Sequence, residues 1–196
     1  MPAGRNFNSA TLELEGPHCR SSAITARRRL PRASETVSNL MADTADTANV
    51  IIRPPIAWAA AALAGLALDW LVPLPFVPAA VPAGGVGAMV VALALALGAW
   101  AVATIIRAGS NVPTNLPSTT IVETGPYRFT RNPIYLGMGL TLIGLAIAFD
   151  SLWPLLTLVP FALVIRYGVV AREEAYLARK FGEVYGGYCA RVRRWL

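Results

Sequence analysis

Residues Val86 to Ile106 form an uninterrupted apolar run of 21 residues without a single charge. At 1.5 Å per residue such a run makes a helix about 30 Å long, the thickness of a bilayer's hydrocarbon core, where only a helix satisfies its own backbone groups. Three more apolar runs accompany it: Ile56 to Val72, broken only by Gly65 and Asp69; Pro133 to Phe149; and Leu152 to Val170. Only Asp150-Ser151 separates the last two, which therefore read as a tight antiparallel hairpin. With 55% hydrophobic and 14% charged residues, the chain has the profile of a polytopic membrane protein rather than a soluble domain. The expected fold is an all-α integral membrane protein with four transmembrane helices and an amphipathic helical segment after them.

Basic residues orient the four spans. Residues 73–85 and the 150–151 turn carry no Lys or Arg, whereas Arg53, Arg107, Arg128, Arg131, Arg172, Arg179, Lys180, Arg191, Arg193 and Arg194 all fall at the opposite ends. The positive-inside rule then puts both termini and the 107–132 loop in the cytosol, with the inner membrane as the location in a bacterial host. The third run is short at 17 residues and Pro154, Pro160 and Arg166 interrupt the fourth, so the cytosolic ends of both are expected to unravel into protein. Beyond it, Leu177, Phe181, Tyr185, Tyr188, Val192 and Trp195 recur at helical spacing with basic residues between them. Gly182 and the Gly186-Gly187 pair weaken one continuous helix, so segment 171–196 reads as two short helices folded over the cytosolic mouth, or as a plain basic anchor.

Residues 1–52 stand apart from the 53–196 membrane domain. The first 40 hold six arginines and no apolar stretch able to span, which fits a basic arm on anionic lipid, a transit peptide, or an over-extended reading frame whose true start is Met41. The single histidine, His18, lies there, so the body from residue 41 onward has none. Cys19 and Cys189 are too far apart in the chain to suggest a disulfide framework or a metal-binding CxxC pair.

Chemistry concentrates at the basic ends. The 107–132 loop is long for a compact bundle and rich in turn formers, ending in Gly125-Pro126 and then Asn132-Pro133. Asn132 suits an N-cap and Pro133 the first helical position, so the third span presents free N–H groups and a positive dipole end to the loop. Tyr127, Arg128, Arg131 and Tyr135 surround that point. Glu173 and Glu174 follow the fourth span, either as a solvated face or as carboxylates turned into the bundle to hold a cofactor's hydroxyl or amino groups. Arg166 either snorkels to the interface or holds an anionic group. Gly84-Gly85-Val86-Gly87 lacks the strand and spacing of a nucleotide loop, and Gly137 with Thr141 reads as a helix-contact face. The basic residues are spread over helix ends rather than gathered into a nucleic-acid stripe, and no metal site is expected.

The block Gly125-Pro-Tyr-Arg-Phe-Thr-Arg-Asn-Pro-Ile-Tyr-Leu-Gly137, followed by the segment from Arg172-Glu-Glu-Ala-Tyr-Leu to Arg194, resembles the isoprenylcysteine carboxyl methyltransferase family, which is related to the phospholipid N-methyltransferases. The likeness covers about residues 105–196. It implies a membrane methyltransferase that uses S-adenosylmethionine and acts on a lipid-like or prenylated small molecule entering from the bilayer. By position, Thr119, Thr120, Ile121 and Val122 would line the cofactor with backbone groups. Tyr127 would touch it, the Asn132-Pro133-Ile134-Tyr135 turn would wrap it, and Glu173 would bind one of its polar groups. The family's turn usually has histidine where this chain has Asn132, which removes an ionisable ring. The family's eukaryotic members place a substrate-binding arginine where this chain has Val169. No catalytic residue is assigned; Arg131, Arg166 and Arg172 are the candidates.

A body without histidine suits an acceptor that arrives ionised, a carboxylate or thiolate, better than a protonated amine. The alternatives are a phospholipid amine acceptor, a sterol-type membrane reductase using NADPH, and a non-catalytic membrane anchor. Oligomeric state is not encoded in these patterns. For the first 40 residues, N-terminal mass analysis of the native protein is expected to find Met41 or Ala42, and Pro2 would refute the internal start.

Overall fold

The computed structural model describes residues 48–112 and 116–196. The expected internal start at Met41 and the basic arm before it lie outside the described residues. Among the described residues every regular element is helical. Helix α1 spans Pro54–Leu71, α2 Ala83–Arg107, α3 Pro133–Ala148, α4 Trp153–Leu163, α5 Ala171–Phe181 and α6 Glu183–Arg191. A 3-10 turn at Gly125–Arg128 precedes α3, and a π-helical stretch at Val164–Val170 joins α4 to α5. The chain is an all-helical membrane protein. Three of its continuous helices are long and apolar enough to cross a bilayer: Pro54–Leu71, Ala83–Arg107 and the 29-residue run Trp153–Phe181.

Helix α3, at 16 residues, is the short apolar member. It is held by the longest, α2. In lipid two apolar helices gain nothing from leaving water, so close packing must bind them. Gly87, Val91, Ala94 and Gly98 on α2, at spacings of three and four residues, face Gly137, Gly144 and Ala148 on α3. A β-carbon at Gly144 would sit 2.9 Å from the backbone nitrogen of Val91 and 3.1 Å from the carbonyl of Gly87. One at Gly87 would collide with the backbone of Ala148. Helix α1 is tied to α3 by a hydrogen bond from the Trp58 indole to the Thr141 hydroxyl, 2.8 Å, which itself donates to the Met138 carbonyl. Leu142, Phe161, Ile165 and Val169 fill the centre between α1, α3 and α4.

The two ends of the bundle are built differently. At one, α3 turns into α4 through Asp150, which adopts φ +48°. Its carboxylate accepts from the backbone N–H groups of Phe76 and Val77 at 2.8 and 2.6 Å. At the other end lie the basic residues. The fourth span does not unravel there as expected. It widens into the π turn, where the Gly168 carbonyl accepts from Ile51 N–H, and continues straight into α5. The proline at position 160 costs one internal hydrogen bond, and the intact turns around it carry the helix through. Twenty-nine residues make about 44 Å of helix against a hydrocarbon thickness of roughly 30 Å. The charged stretch from Arg172 to Lys180 therefore stands beyond the apolar layer.

Of the two short helices expected over the mouth, α5 is thus an extension of the span and only α6 folds back. The joint is Gly182 at φ +52°, a left-handed conformation that suits glycine. Gly186 and Gly187 sit inside α6 without breaking it. Replacing Gly87 by valine should wedge α2 from α3 and cost at least about 2 kcal/mol of stability. Gly84→Ala, which meets nothing within 4 Å, should stay near wild type; unfolding titrations in mixed micelles compare the two.

Candidate active site

The start of α3, the 3-10 turn, α5 and α6 enclose a polar cleft at the basic end of the bundle. Its empty volume, solvent mouth included, is about 840 Å³. Five of the chain's six tyrosines line it: Tyr127, Tyr135, Tyr176, Tyr185 and Tyr188. Burial pushes the phenols of Tyr127, Tyr185 and Tyr188 well above their ordinary value, so they are neutral hydrogen-bond donors.

Glu173 is the buried acid of the cleft. The Tyr135 hydroxyl donates to its Oε1 at 2.7 Å. Desolvation raises its pKa to about 7, the bond from Tyr135 pulling it down and the neighbouring Glu174 pushing it up. Of the two readings of the acid pair, the solvated face fails for both residues. Glu174 is engaged by Arg131 at 3.1 Å and by Arg194, whose Nε and Nη2 reach its two oxygens at 2.9 and 2.6 Å. Arg194 is held charged even more firmly than usual by that bond.

The chain's end is fastened to the residues before α3. Arg131 N–H donates to the Arg193 carbonyl at 3.0 Å, and the Thr130 hydroxyl and Asn132 Nδ2 both donate to the Arg194 carbonyl. Tyr188 adds a bond from its hydroxyl to the Tyr127 carbonyl at 2.8 Å. Asn132 occupies the N-cap position, but its side chain does not cap α3. It turns to the tail instead, sharing the Arg194 carbonyl with the Thr130 hydroxyl. The helical face foreseen for the C-terminal segment becomes a cluster in which Leu177, Phe181, Tyr185, Tyr188 and Val192 pack with Ile121, while Trp195 reaches the main core.

Of the expected cofactor residues, Tyr127, Asn132, Pro133, Ile134, Tyr135 and Glu173 converge on this cleft. Thr120, Ile121 and Val122 line a shallower extension that shares Tyr127, Arg131 and Leu177 with it. Thr119 does neither: its hydroxyl bonds the Gly109 carbonyl at 2.8 Å. Among the candidate arginines only Arg131 reaches the cleft. Arg166 lies over the Tyr167 ring and Arg172 donates to the Asn49 carbonyl, both at the exposed surface. Missing from the sequence reading were Tyr176 and the partnership of Glu174 with Arg194. Tyr176 falls three residues after Glu173, one helical turn along the same face, which is the signal that would have found it.

A second, almost wholly apolar groove of about 660 Å³ runs between α1, α2 and α3 past Trp58, Gly98, Val102 and Met138. It meets the polar cleft at Ile134, which lines both.

The described residues thus form an all-helical bundle with a tyrosine- and carboxylate-lined cleft at one end and an apolar groove beside it. Residues 84–184, just over half of the chain, match the family described as phospholipid methyltransferase. The chain belongs to that family, and its class is that of an integral membrane methyltransferase. It is also similar to an uncharacterised protein of Haemophilus influenzae (strain Rd), 40% identical over 63 residues, which is all of that protein and 32% of this chain. The matched region takes in α2, α3, the Glu173-Glu174 pair and the start of α6.

Removing the side-chain donor of Asn132 leaves the Arg194 carbonyl with one bond fewer. Asn132→Ala should speed amide exchange in 183–196 about fivefold, the equivalent of about 1 kcal/mol, while Asn132→His keeps a ring N–H donor and should restore most of the protection.

Proposed function

We propose that the chain is an S-adenosylmethionine-dependent methyltransferase acting on a lipid-like acceptor. The observation that carries this reading is the buried Glu173–Tyr135 pair, standing in a polar cleft at the start of α3 and adjoining an apolar groove at Ile134. The cleft suits the cofactor's parts: an ionised Glu173 accepts from an amino group or ribose hydroxyls, free N–H groups at the start of α3 favour a carboxylate, and tyrosine faces favour a positive sulfonium. The bound cofactor supplies the methyl group from that sulfonium. Tyr135 fixes the orientation of Glu173, the backbone of 120–122 borders the extension beside Tyr127, and α6 covers the cleft against water. Exclusion of water helps a displacement in which opposite charges are lost, and positioning of the two reactants adds several kcal/mol. The apolar groove takes the acceptor's hydrocarbon part and delivers its polar end toward Ile134.

For the acceptor, a carboxylate or thiolate of an isoprenylcysteine-like molecule is the first reading, since no histidine base stands in the described residues. A phospholipid amine is the second. It is favoured by the match to the phospholipid methyltransferase family and by the state of Arg131, which is already paired to Glu174 and so poorly placed to hold an anionic acceptor. The basic end of the bundle, with both termini and the 107–132 loop, is proposed to face the cytosol, on the distribution of Lys and Arg.

Titrating the purified protein in detergent with S-adenosylmethionine and, separately, NADPH should give saturable micromolar binding of the first and none of the second. NADPH binding alone would make the protein a reductase, and binding of neither would make it an anchor. If the ionised carboxylate of Glu173 is the binding form, affinity should strengthen about tenfold from pH 6 to pH 8 as the acid passes its value of about 7. Glu173→Gln should weaken binding by roughly 1.5–3 kcal/mol and flatten that profile.

A further inference from the structure

Arg194, three residues from the end of the chain's last helix, has no part in the cleft's lining, yet it makes the best-formed ion pair in the described residues. Its guanidinium grips Glu174 with two bonds of 2.9 and 2.6 Å, and the same carboxylate receives Arg131 at 3.1 Å. Glu174 is the immediate neighbour of Glu173. The groups that face Glu173 are Tyr135 from α3, Tyr127 from the 3-10 turn and Glu174 from its own helix. Both tyrosines are neutral: Tyr135 steadies the ionised carboxylate through its hydrogen bond, and Glu174 is the neighbouring negative charge that opposes it. Among the described residues no cation pairs with Glu173 itself.

We propose that Arg194 is a positioning residue whose work is electrostatic: by pairing with Glu174 it keeps that carboxylate's charge from the cleft, so that Glu173 stands there as the single available carboxylate. The inference rests on Glu173 being the cofactor-binding acid, but its mechanism operates in the empty protein. Two adjacent carboxylates at one site resist double ionisation, and a bidentate arginine offsets that repulsion at short range. Lysine at position 194 keeps the charge and loses the fork, and alanine loses both. The backbone bonds from Thr130 and Asn132 go to the Arg194 carbonyl, so they survive either substitution.

The test follows the protonated-carboxyl infrared band of Glu173 against pH in full-length protein without cofactor, the band being assigned by its loss in Glu173→Gln. In Arg194→Ala the titration midpoint should rise by about one pH unit, and in Arg194→Lys it should return most of the way. Glu174→Gln should lower the midpoint, and on that background changing residue 194 should not raise it. Should Arg194→Ala fail to fold, Glu174→Gln still decides, because an unmoved midpoint there overturns the proposal. A midpoint unchanged in Arg194→Ala also overturns it and leaves Arg194 as a tail anchor. Cofactor binding, measured separately, tells failure of the functional reading apart from failure of this one.

Discussion

The backbone-to-backbone contact of α2 with α3 positions everything else. Helix α3 is too short to be fixed by the bilayer alone, and its 16 residues carry the residues that open the cleft at its first turn. Its height and rotation are set by glycines at 87, 137 and 144, which let the two helices approach until main-chain atoms touch. Such contact is the main attraction available between apolar helices in lipid. With α3 so placed, Tyr135 points at α5, Thr141 meets Trp58, and Ile134 separates the polar cleft from the apolar groove.

The far side of the cleft depends on a different economy. Here the chain leaves the apolar layer, and polar bonds take over from packing. The wide π turn ends just before α5, whose second and third residues beyond Ala171 are Glu173 and Glu174. Wide turns of this kind occur disproportionately at functional sites. One acid goes to a tyrosine in the cleft and the other to two arginines, so neighbouring carboxylates acquire opposite tasks through their partners. The tail that supplies Arg194 is itself held by Thr130, Arg131 and Asn132, the three residues before α3. The segment before α3 and the tail after α6 are thereby closed on each other.

Much of this was readable from the residues. Three of the four apolar runs became helices within a few residues of their expected limits, since length and hydropathy decide spanning helices in lipid, while the fourth ran on to Phe181. The Gly125–Tyr135 block and the acid pair stand out in the sequence because polar groups at helix mouths have few structural uses, and the structure brings parts of both to one cleft. The readings that failed depended on partners. Asn132 looks like a cap in any local window, but its amide donates to a carbonyl 62 residues away, beside the Thr130 hydroxyl. Arg166 and Arg172 look as promising as Arg131, and only the rotation of the helix puts them outside. Thr119 lies beside residues that border the cleft, yet its hydroxyl turns to the Gly109 carbonyl.

The sequence by itself determined that this chain is a bundle of membrane helices, where each of them begins, and which end collects charge. These are properties of a stretch of residues against its solvent, additive along the chain. Only the tertiary structure decided which of two adjacent glutamates meets a tyrosine and which is bound by arginines, and that five tyrosines from four elements share one cleft. Those outcomes depend on distances between residues far apart in sequence, fixed by helix rotation and by which polar atom lacked a partner.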